Sequence, residues 1–177
     1  ADDEIRQVAG VTNSDLIILV RETTDEFELS PLLLTLTTEL SSHHIPTRMA
    51  ALRWINMLLE KAPTEMNRFI AELLPALLHT LSDEADEVVL MNLEVLSRIS
   101  LLNDDEFEHV LNAIVQLFSE DRRLLETRGS LIVPKLCVLL SAKPISISLA
   151  AVLEATDAHE FAAIMARQRA RARSREP

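Results

Sequence analysis

The chain has 177 residues, enough for one domain with a sizeable core, and its 48% hydrophobic and 25% charged residues exclude a disordered chain. Two glycines, no tyrosine and 3% aromatic residues argue against a sheet protein, which needs glycine in tight turns and β-branched or aromatic side chains in strands. The net charge of −11 is uneven: five Arg and one Glu give Ala166–Pro177 a charge of +4, so the rest carries −15, which repels phosphate backbones and argues against nucleic acid.

Apolar spacing and start signals divide the chain into helices. The opening 22 residues read as a helix pair broken near Gly10–Asn13, and the start Ala-Asp-Asp-Glu, with neither Met nor a signal segment, reads as a piece of a longer polypeptide. Ser30 as N-cap and Pro31 as first helical residue open a helix over "PLLLTLTTEL", and Pro46 opens the next, "PTRMAALRWINMLLEK". "EMNRFIAELLPALLHTL" predicts one helix kinked at Pro75, followed by "EADEVVLMNLEVLSRIS". Asn103/Asp104 open "DDEFEHVLNAIVQLF", then comes "RRLLETRGSLIVPKLCVLL", and Ser146–Ala155 with Ala158–Arg167 make a shorter last pair. No apolar run approaches the roughly 20 residues of a membrane span.

The helices recur in pairs. "LSSHHIPTRMAALRWI" from Leu40, "LSDEADEVVLMNLEVL" from Leu81 and "FSEDRRLLETRGSLIV" from Phe118 align, each with a polar turn before a mostly apolar helix. A recurrence near 40 residues with two helices per unit predicts an all-α, HEAT/armadillo-like α-solenoid of about four to five helix pairs. Residues 1–165 form the helical-repeat domain and 166–177 a basic, low-complexity arm. The second helix of a unit carries a wide apolar stripe, as expected of a helix touching its own partner and both neighbouring units.

Four carboxylates, Asp83, Glu84, Asp86 and Glu87, crowd one such turn. A calcium loop needs a glycine at its bend and a spaced array of acids, and neither is present. Acidic residues at a helix N-terminus face unpaired N–H groups and the positive end of the dipole, so the cluster reads as turn and cap.

Several words are more specific than a generic repeat. "Thr47-Arg48-x-Ala50-Ala51-Leu52-Arg53-Trp54", "Leu81-Ser82-Asp83-Glu84-x-Asp86-Glu87-Val88" and "Arg123-Leu124-Leu125-Glu126-x-Arg128-Gly129" resemble the vacuole-segregation "Vac fourteen" family, in register from about Phe27 to Met165. The resemblance covers the central-to-C-terminal part of the family pattern, and after Met165 the chain departs into "ARQRARARSREP". It implies a HEAT-repeat scaffold without catalytic residues or cofactor, self-associating when intact. By the same resemblance it holds a FYVE-finger phosphoinositide 5-kinase and a Sac-type lipid phosphatase, and so regulates phosphatidylinositol 3,5-bisphosphate. It would lie peripherally on the cytosolic face of endosome and vacuole (lysosome) membranes. The alternative is a HEAT-type adaptor of another trafficking or transport pathway.

Candidate inter-repeat or partner-contact residues follow. Arg48 and Arg53, five apart on one polar arc, either bridge to the acidic turn of the next unit, touch a partner or stay solvated. Trp54 reads as core before hot spot. Arg123, Glu126 and Arg128, with Arg122, Glu120 and Asp121, form a mixed-charge neighbourhood that suits intramolecular pairing better than phosphate binding. Gly129 inside a helix costs about 1 kcal/mol against Ala, so a close helix approach or a bend completed at Pro134 is expected there. No two histidines have helical metal-site spacing, Cys137 in its apolar surroundings reads as core, and no nucleophile elbow or phosphate loop exists, so no metal, cofactor or catalytic site is predicted. The Arg-rich arm is either a solvated end or a flexible arm that binds anionic lipid or RNA by charge alone.

Overall fold

A computed structural model describes residues 2–24 and 28–139. Among these residues there are eight helices and no strand: α1 (Asp2–Glu22), α2 (Leu29–Glu39), α3 (Ile45–Lys61), α4 (Pro63–Asn67), α5 (Ile70–Thr80), α6 (Asp86–Ser100), α7 (Asp104–Glu120) and α8 (Arg122–Leu139). They pair as α2 with α3, α5 with α6 and α7 with α8, and the pairs stack side by side. Helices α2, α5 and α7 make one layer, and α1, α3, α6 and α8 the other, each touching its neighbour in the row. The protein is an all-α solenoid.

One continuous apolar core runs through the stack, from Leu33 on α2 to Ile132 on α8. Its centre is Leu52, Ile55 and Leu58 of α3, Leu77 of α5, and Val88, Leu93, Leu96 and Ile99 of α6, all fully buried. Each such side chain contributes about 1.5–3 kcal/mol relative to an exposed one. Helix α6 is covered from four sides, by α3, α5, α7 and α8, which is why even Asn92, Ser97 and Ser100 are buried on it. Helix α1 is the opposite case: it packs on α3, has no buried residue, and leaves Ile5, Val8, Val11, Leu16, Ile18 and Leu19 exposed.

Three sequence expectations are corrected. The break near Gly10–Asn13 does not occur; α1 is continuous, because no proline interrupts it and Ser14 donates its hydroxyl back to the Gly10 carbonyl at 3.0 Å within the helix. Helix α2 starts at Leu29, with Glu28 and not Ser30 at the N-cap, so Pro31 is its third residue. Proline is tolerated there because the first four N–H groups of a helix have no internal partner anyway. The predicted helix kinked at Pro75 is two helices, α4 and α5, divided at Arg68 and Phe69, whose N–H groups turn back to Glu65 and Met66 at 3.3 and 2.9 Å. Pro75 lies inside α5 on its exposed side, as does Ala71, so the carbonyl that loses its helical partner sits where water reaches it.

The remaining starts lie close to their signals. Asn103 caps α7, accepting the Glu106 N–H at 2.8 Å, and Pro46 is the second residue of α3. The described stack comprises three pairs, the single helix α1 and the short α4; the expected pair over Ser146–Arg167 and the basic arm lie outside the described residues. No described helix is long and apolar enough to cross a membrane.

Candidate functional site

The acidic turn between α5 and α6 is built by local bonds. Helix α5 closes with consecutive tight bonds, from the N–H groups of Leu81, Ser82 and Asp83 to the carbonyls of Leu78, His79 and Thr80, each 3.1 Å. Asp83 then accepts the Ala85 N–H on Oδ1 at 2.8 Å, which turns the chain, and α6 begins at Asp86. Asp86 and Glu87 occupy the first turn of α6, where the dipole favours them, and Glu84 is exposed in the turn.

Arg48 reaches this turn from α3. Its Nε and Nη2 donate to the two carboxylate oxygens of Asp83 at 2.6 and 2.9 Å, while Nη1 donates to the Ser42 carbonyl at 2.7 Å. Both side chains are only 8% exposed, so this is a buried, bidentate pair with every charge-bearing group bonded. From the other neighbour, α8, Arg128 donates to the Asp86 carboxylate through Nη1 and to the Asp83 carbonyl through Nη2. Among the described residues no group of three or more His, Cys, Asp or Glu is placed to hold a metal ion.

The other predicted site residues separate. Arg53 is exposed and makes no ion pair with a described residue. Trp54 is half-buried against the core, and its indole Nε1 donates to Asn13 Oδ1 of α1 at 2.9 Å. Glu126 pairs with Arg122 one turn away at 3.8 Å on the exposed face of α8, and Arg123 is exposed beside them. Gly129 is buried on α8, at the position the repeat alignment makes equivalent to buried Ala51 and Asn92. Cys137 belongs to α8, but its side chain lies outside the described residues.

Sequence reading missed a set of polar rungs across the row α1, α3, α6, α8. Besides Asn13–Trp54, Arg98 Nε donates to Asn56 Oδ1 at 2.8 Å, and Lys135 meets Glu94 at 3.7 Å. Glu60 lies between two arginines, 3.6 Å from Arg21 of α1 on one side and 3.6 Å from Arg98 of α6 on the other. Lys61 donates to the Arg21 and Thr23 carbonyls, closing the C-terminal end of α1. Asn92, fully buried, donates from Nδ2 to the Leu77 carbonyl at 2.6 Å and so satisfies the end of α5. A signal for the rungs was present: Asn13–Trp54 spans 41 residues, and Asn56–Arg98 and Asp86–Arg128 each span 42, close to the repeat length itself.

The chain is similar to curated proteins of a plant and of fungi. It is 38% identical over 164 residues to "Protein VAC14 homolog" of Arabidopsis thaliana, covering 93% of this chain and 22% of that protein. It is 30% identical over 180 residues to "Protein VAC14 homolog" of Schizosaccharomyces pombe, again 93% and 22%. To "Vacuole morphology and inheritance protein 14" of Saccharomyces cerevisiae it is 24% identical over 160 residues, 87% of this chain and 18% of that protein. The chain thus spans about a fifth of the length of the relatives it matches. No family model and no solved structure matches it.

Proposed function

Since the chain belongs to the VAC14 family as a segment of its pattern, we propose that it is a non-enzymatic scaffold segment at vacuolar and endosomal membranes. In this reading it helps to hold a FYVE-finger lipid kinase and a Sac-type lipid phosphatase together, and so regulates phosphatidylinositol 3,5-bisphosphate. The observation that carries the reading is similarity along 93% of the chain to proteins of the family, one of whose members elsewhere is named for vacuole morphology and inheritance.

The geometry supports a scaffold in a second way. Several charged side chains of the row α1, α3, α6, α8, among them Arg21, Arg48, Glu60, Arg98, Arg128 and Lys135, are spent on rungs between neighbouring helices. Such a stack offers a long, shape-stable surface for partners. Chemistry at a site would instead need convergent groups left free for a substrate.

The test is a chimera. The matching segment of the Saccharomyces cerevisiae relative is replaced by this chain, and vacuole morphology is scored together with co-precipitation of the kinase and the phosphatase. Normal vacuoles with both enzymes retained are expected. Loss of either enzyme from a chimera that is expressed at the normal level would overturn the proposal.

A further inference from the structure

One short turn holds three successive helix pairs together. Arg48 approaches it from α3 and takes the Asp83 carboxylate with two bonds, 2.6 and 2.9 Å, while tying itself back to the preceding turn at the Ser42 carbonyl. Arg128 approaches from α8 and takes the Asp83 main-chain carbonyl and the Asp86 carboxylate. The seam between α3 and α6 therefore uses the side chain of Asp83, and the seam between α6 and α8 uses its backbone. Both need the same turn conformation, which the bond from the Ala85 N–H to Asp83 Oδ1, 2.8 Å long, maintains.

In a stack whose units touch only their neighbours, stability is ordinarily a sum of unit and seam contributions, and separate seams open separately. A shared residue changes that. At 8% exposure neither Arg48 nor Asp83 regains water unless the turn moves, and a turn that moves withdraws the carbonyl from Arg128. Opening on one side thus removes a bond on the other.

We propose that Asp83 is a coupling residue that makes α3, α6 and α8 open as one unit, so that this part of the stack behaves as a rigid block and not as a chain of hinges. Native-state hydrogen exchange on the whole 177-residue chain, at rising denaturant, reads the opening of each helix separately. In the unaltered chain the buried amides of α3, α6 and α8 converge on one isotherm; separate isotherms would overturn the proposal.

Arg128→Gln, at a partly exposed site that folding should tolerate, lowers protection in α3 as much as in α8, by about tenfold in both, although the hydrogen bonds of Arg128 go to Asp83 and Asp86 and not to α3. A loss confined to α8 would sink the idea. Asp83→Asn keeps the acceptor for Ala85 but removes the charge that Arg48 grips. In that background Arg128→Gln should leave α3 unchanged. If the effect still reaches α3, the coupling travels through the apolar core and the assignment to Asp83 is wrong.

Discussion

Arg48 and Arg53 lie five residues apart on the same helix, and the fold treats them in opposite ways. Arg48 is buried against Asp83 with three donors used, while Arg53 stands in solvent. Removing one member of a buried ion pair strands the other charge, which typically costs about 3–5 kcal/mol. Arg48→Met should therefore lower the unfolding free energy by that much, read as a lower urea midpoint at an unchanged slope, whereas Arg53→Ala should stay within about 0.5 kcal/mol of the parent. Equal losses from the two would contradict the geometry. In the sequence the two arginines look alike, because both fall on the polar arc of one helix. What separates them is an aspartate 35 residues away, and no local signal says where that residue arrives. Asn92 was hidden for the same reason: its partner is a main-chain carbonyl on another helix, which has no sequence signature.

At the scale of elements, the helices that kept their predicted ends are those with a strong local device. Asn103 caps α7, and the acids Asp86 and Glu87 open α6. The misread elements are those where glycine or proline was given too much weight. Gly10 has no heavy atom within 4 Å of an added Cβ and no left-handed backbone, so nothing in the fold requires a glycine there. Gly10→Ala should therefore strengthen α1 by about 1 kcal/mol, seen as roughly fivefold slower amide exchange in α1 with α3, α6 and α8 unaffected. Faster exchange in α1 would show that the glycine has a role the fold does not reveal. Proline, likewise, breaks a helix only where its missing donor or its ring matters. Pro31 sits in a first turn and Pro75 on a solvent face, and each is carried within a helix.

For the whole molecule, the repeat length governs both the packing and the polar pairing. Exposed rungs such as Arg21–Glu60 and Glu60–Arg98 contribute little each, about 0–1 kcal/mol, and are screened by salt, whereas the buried Arg48–Asp83 pair is not. Their value lies in register: a one-residue slip of one helix against the next would separate every rung at once. The charge distribution gives a separate prediction. The body is acidic and Ala166–Pro177 carries +4, so any affinity of the chain for vesicles containing anionic lipid should disappear on deleting Ala166–Pro177. It should also fall steeply as salt is raised; binding that survives the deletion would place the attraction elsewhere.

The all-helical class, the two-helix unit of about 40 residues, the reading of Asp83–Glu87 as a turn and the capping of α7 all follow from the sequence by itself. These depend on helix propensity, apolar period and caps, forces that act within a turn or two of the chain. Which arginine is buried, which asparagine closes a neighbouring helix, and that one aspartate serves two seams were decided only by tertiary structure. Those choices depend on where the chain returns after 35 to 45 residues, and that is set by the fit of apolar faces across the stack, a long-range condition that no short stretch of residues encodes.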